Sequence, residues 1–157
     1  MRALILASLM AFAGAAAASN YRDVQRAVTD DTLLQSAGVT PADAKLREQC
    51  SATVVDTDDS PVFFDCVYVQ TERDLNLFSL EDGFLMSELQ LTLSNMDGVA
   101  LQHMGKYSQV QIFSGNRVAA FYIHGTRWID PARTQAVYEW LTNHGVRQRQ
   151  PRKWIGP

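Results

Sequence analysis

Three histidines, two cysteines and a short run of acids are the side chains in this sequence best equipped for chemistry. Three imidazoles can hold zinc, but the spacing of His103, His124 and His144 places them on separate expected elements. No metal and no other cofactor is expected. His124 comes shortly before Asp130, and a histidine oriented by a carboxylate can act as a general base. Asp130 stands directly before Pro131, however, which is the arrangement of a helix N-cap. That role accounts for Asp130 without catalysis. Cys50 and Cys66 are not a C-x-x-C pair and have no histidine near them in sequence. In an oxidising compartment two such cysteines make a disulfide. The loop they close is of a length that stabilises a fold by about 3 kcal/mol in the chain-entropy picture. The acidic run from Asp56 to Pro61 has the look of a calcium loop. An EF-hand needs glycine at its sixth position and glutamate at its twelfth, and Pro61 and Val67 stand there instead. Hydrolase, zinc-protease and phosphate-loop motifs are absent from the sequence.

These residues need elements to position them, and the clearest is a hairpin over residues 106–124. Two β-rich runs flank Gly115-Asn116, the pair of a two-residue type II′ turn. That turn sets Phe113 against Val118, Gln111 against Ala120, Gln109 against Tyr122 and Tyr107 against His124. Val110, Ile112, Ala119, Phe121 and Ile123 fall on the opposite, apolar face, which is the core side. The mixed face gathers Tyr107, Gln109, Gln111, Tyr122 and His124, the candidate binding residues.

The remaining elements follow from periodicity and caps. Residues 20–38 read as one or two helices, with Tyr21, Val24 and Val28 at helical spacing. Thr40 and Pro41 read as the cap and first position of a further short helix ending at Cys50. Residues 62–71 read as a strand, apolar on both sides except at Asp65. Residues 75–80 and 84–93 read as a hairpin closed by the three-residue loop Glu81-Asp82-Gly83, with Leu75, Leu77, Leu85, Leu89, Leu91 and Leu93 on one face. The competing reading of 84–93 is a helix. Residues 99–103 read as a short strand, and a helix opening at Asp130-Pro131 ends at Gly145. The fold class is α+β: leading helices, an antiparallel sheet of about four to six strands, and a C-terminal helix packed on the sheet.

Residues 1–18 read as a signal peptide. Arg2 is the positive start, residues 3–13 are an apolar stretch too short to span a bilayer, and Ala16-Ala17-Ala18 is a small-residue cleavage site. Residues 19–146 are then a single exported domain, periplasmic or secreted, and residues 147–157 a basic, flexible tail. Charge is segregated: residues 48–97 carry eleven acids and one base, and residues 98–157 carry two acids and eight bases. The net charge of −3 makes nucleic acid a poor partner, and no segment is built to span a membrane. The function expected is that of a binding protein, an inhibitor or immunity-type protein acting on another protein with a cationic surface. A small hydrolase using His124 is the alternative, and a structural component of an envelope or secretion assembly is a third reading.

Overall fold

The computed structural model describes residues 21–56, 60–126 and 128–156. The expected signal peptide and the centre of the acidic run lie outside them. Two short helices lead, α1 (Tyr21–Ala27) and α2 (Asp31–Ser36). Asp30 caps α2, its carboxylate accepting from the Thr32 and Leu33 amides. Seven strands follow: β1 (Leu46–Val55), β2 (Pro61–Gln70), β3 (Asp74–Glu81), β4 (Phe84–Thr92), β5 (Gly98–Met104), β6 (Tyr107–Ser114) and β7 (Arg117–Ile123). The helix α3 (Pro131–Asn143) comes next, capped by Asp130, whose side chain accepts from the Arg133 amide. No helix among the described residues is long and apolar enough to cross a membrane.

The strands form one antiparallel sheet in the order β4-β3-β2-β1-β7-β6-β5. Neighbours in sequence pair as hairpins except β4 and β5, which form the two edges, and β1 joins the two halves by pairing with β7. The strand count exceeds the expected four to six because β1 occupies the stretch read as a helix ending at Cys50. Thr40 makes no side-chain cap bond, and only a three-residue 3₁₀ turn, Pro41–Asp43, forms there. Beyond it Cys50, Ala52 and Val54 alternate into the core. They are small, so their period-two signal is faint.

The β6–β7 hairpin has the expected register: Phe113 faces Val118 and Gln111 faces Ala120. Gly115 takes φ +55° and Asn116 keeps a negative φ, as a type II′ turn requires. Residues 84–92 are strand. The loop before them is corrected: Glu81 pairs with Phe84, so the turn is two residues, Asp82-Gly83, both at positive φ. Asp-Gly favours that type I′ geometry. A register shift at Leu77/Phe78 then turns Leu85 to the opposite face from Leu89 and Leu91.

Each sheet face has its own cover. The main core lies on one face, where Val137 and Leu141 of α3 pack with Ile112, Phe121, Tyr68, Leu77 and their neighbours. Cys50 and Cys66 face each other across β1 and β2 on this side and are disulfide-bonded. The bond is consistent with an oxidising location. On the other face Val24, Ala27 and Leu34 of α1 and α2 cover Val67, Val69, Phe78 and Leu85. The 147–156 segment corrects the expectation of a flexible tail. It bridges to Val99 through Val99 N–H to Arg147 O and Arg149 N–H to Val99 O, both 2.8 Å, then crosses β6 and β7. Ile155 packs there on Ala100, Phe113 and Val118.

Candidate functional site

Between α1 and the 147–156 segment, a polar strip on the sheet remains uncovered by a helix. Alternation along antiparallel strands decides its members. Ser51 of β1 lies directly between Asp65 of β2 and Tyr122 of β7. Thr53, one pleat further on, lies between Phe63 and Ala120. His124 follows β7, its amide donating to Gln49 O at 2.8 Å.

The Ser51 hydroxyl is the hub. It donates to Asp65 Oδ1 at 2.7 Å and lies 2.8 Å from His124 Nε2. A carboxylate can only accept, so the serine proton goes to Asp65 and His124 contributes an Nε2–H donor. That tautomer leaves Nδ1 with a bare lone pair. Among the described residues Nδ1 is the buried side-chain polar atom that lacks a hydrogen-bond partner. His124 is only 4% exposed. The rings of Tyr21, Tyr122 and Trp128 stand 5.6, 5.5 and 5.6 Å from it. Burial pushes the imidazole below its ordinary 6.5, with the Asp65 charge opposing. Burial likewise raises the Tyr122 phenol.

Above this network lies a groove of about 430 Å³, lined by Ser51, Thr53, Phe63, Asp65, Tyr122 and Trp128 together with Ala52 and Phe64. Phe63 is 50% and Trp128 55% exposed. Asp65 is exposed as well. A carboxylate among aromatic rings, two of them half uncovered, can hold a cation by charge and by the ring faces. Acyl transfer would need the opposite polarity, with the serine donating to the histidine.

The expected site residues divide. Gln109, Gln111, Tyr122 and His124 share one face of the sheet, as their register demands, and all are buried. Gln109 and Gln111 lie beneath the 147–156 segment and bond to its main chain. Tyr122 lines the groove and also stacks on Trp154. Tyr107 is set apart at the β5–β6 turn, half-buried, with the Lys106 ammonium over its ring. The His124–Asp130 dyad is not formed. Asp130 caps α3 and pairs with Arg133 at 3.4 Å, while His124 is bound to Ser51. His103 bonds to Ser108 and His144 to Trp140 O, and among the described residues no cluster could hold a metal ion.

Ser51, Phe63, Asp65 and Trp128 are the site residues that sequence reasoning missed. Asp65, an acid in an otherwise apolar strand, is the sequence signal that could have found them. The segregated charges meet in part: Arg117 binds Asp56 at 2.6 Å and Arg133 binds Glu48 at 2.8 Å. No protein-family model matches the chain, and no match is found among curated proteins.

Proposed function

We propose that this protein is an exported binding protein, of the inhibitor or immunity type, that takes a cationic side chain of a partner protein into the groove at Asp65. The observation that carries this reading is the exposed Asp65 carboxylate set among Phe63, Tyr122 and Trp128. Exposed aromatics are costly to leave in water and are enriched at binding hot spots. Here they flank an acid held in place by Ser51. The disulfide and the signal-like residues 1–18 support an exported location, periplasmic or secreted. The test is capture from the exported-protein fraction of the source cells with wild-type bait and with a Phe63→Ala/Trp128→Ala bait. A basic protein held by the first and lost by the second supports the reading. Equal retention on both contradicts it.

One observation favours a second reading. Ser51 Oγ lies within 2.8 Å of His124 Nε2, the contact a small hydrolase using His124 would need. A fluorophosphonate that labels Ser51 would establish that reading, and no labelling is expected.

A further inference from the structure

Gln109 and Gln111 are 1% and 0% exposed, and both carboxamides bond to peptide main chain rather than only to each other. Gln111 Oε1 accepts from the Arg152 amide at 2.8 Å, and its Nε2 donates to Lys153 O at 3.2 Å. Gln109 Oε1 accepts from the Ile155 amide at 3.2 Å, and its Nε2 donates to Ile155 O. Such bonds read a backbone and are indifferent to the side chains it carries, as strand addition is. Buried carboxamides left without such partners would incur the cost of their desolvation. The face is therefore built for an extended chain.

What the face asks of side chains is modest. The Arg149 and Arg152 guanidinium groups lie 4.7 and 5.7 Å from the Phe113 ring. Trp154 stacks on Tyr122, and Ile155 fills the gap among Ala100, Phe113 and Val118. The pattern is Arg-x-x-Arg-x-aromatic-aliphatic. Among the described residues, Arg147, Arg149, Arg152 and Lys153 form no ion pair, and Asp65 has no cationic partner. The resident segment thus leaves unused Asp65, which lines the groove together with Tyr122. Gly156 brings its backbone to the groove's rim, where an added Cβ would stand 2.9 Å from Thr53 Oγ1 and 3.3 Å from Phe63.

We infer that this face is a docking site for an extended basic segment of the partner protein, and that residues 147–156 are a resident occupant which that segment displaces. The inference rests on the reading of a cationic partner and names the part of the partner that binds. A competing segment makes the same main-chain bonds and adds a cation at Asp65, so it outcompetes the resident one.

The experiment uses three fluorescein-labelled peptides: residues 147–156 of this chain, a pattern-matched peptide with Phe and Leu in place of Trp154 and Ile155, and an all-alanine control of equal length. Their anisotropy is followed on the wild-type protein, on Trp154→Ala/Ile155→Ala and on Gly156→Ala. The last variant disturbs only the rim, through a φ of +120° and the close Cβ. Both patterned peptides should bind the variants saturably, and bind wild type about tenfold or more weakly, because the competent state is there only a fraction of the population. The control, which keeps the main-chain bonds but lacks the ring and aliphatic contacts, should bind about tenfold or more weakly than the patterned peptides. Absence of saturable binding to both variants, each melting cooperatively, overturns the inference. Binding of the self peptide alone overturns it too, as does a wild-type dimer in sedimentation, which would assign the face to a second copy. Asp65→Asn separates this result from the groove reading. It should leave binding of the 147–156 peptide unchanged, since that segment does not use Asp65, and it should weaken only the natural partner. Peptide binding with a partner indifferent to Asp65 leaves the docking face standing without the groove. The reverse pattern leaves the groove standing without the docking face.

Discussion

Trp154 stacks on Tyr122, their ring centroids 6.0 Å apart and their planes 24° from parallel. The contact joins the 147–156 segment to the groove, because Tyr122 also lines it. Tyr122 is buried by that segment and not by α3, which lies on the other face. Tyr122→Ala should therefore cost about 3–5 kcal/mol, as large buried aromatic truncations do. Trp154→Ala should cost about 1 kcal/mol, the scale of a lost ring pair. Urea melts of both variants check this. A cost below 1 kcal/mol for Tyr122→Ala would mean that the face is wet.

The Cys50–Cys66 bond joins residues already paired across β1 and β2 and spans 16 positions of sequence. Exported protein, unfolded without reductant, should show no reactive thiol on titration. A Cys50→Ala/Cys66→Ala variant should lose about 3 kcal/mol, mostly through a freer unfolded chain. Two titratable thiols in the unreduced protein would remove the bond from the account.

His124 gives the fold a pH dependence of definite sign. Its folded pKa lies below the ordinary 6.5 because burial disfavours the charged ring, with Asp65 opposing. Just below 6.5 the unfolded chain then binds more protons than the folded one. Stability is full above that value and is lost as pH falls through the interval down to the folded pKa. Glu48 acts in the opposite sense. Burial raises its pKa despite Arg133, so its ionisation weakens the fold as pH rises above 4.5. The difference between wild type and His124→Gln isolates the histidine, since glutamine retains an N–H donor for Ser51. Melting temperatures from pH 5 to 8 should show a wild-type slope below 6.5 that the variant lacks. Parallel curves would mean that His124 does not titrate there.

The hairpins were the legible part of the sequence. Gly115-Asn116 fixed both turn type and register, because a II′ turn admits few residues at its first position. The last helix was legible from Asp130-Pro131 and Gly145 for a similar reason. The strand β1 was not, because Cys50, Ala52 and Thr53 are too small and mixed to show a period, and Thr40-Pro41 gave a convincing false start. Of the site, the sheet face could be read from Tyr122, Gln109 and Gln111. What covers it could not. Contacts between residues 109–111 and 152–155 are tertiary, and the Arg149 and Arg152 charges made an ordered segment look like a solvated tail. Ser51 and Asp65 meet only because β1 pairs with β2, so misreading β1 hid them.

The most direct test of the central claim is the affinity of captured partner for Asp65→Asn. Asparagine keeps an oxygen that can accept from Ser51, so the variant removes the charge and spares the network. Binding should weaken about tenfold or more, the scale of a charge-assisted contact. The wild-type on-rate should fall steeply with added salt, and the variant's less so, since exposed charges are screened over roughly 10 Å at 0.1 M salt. Equal affinity for both proteins, with on-rates that ignore salt, would contradict the assignment of the groove as the site for a cationic partner.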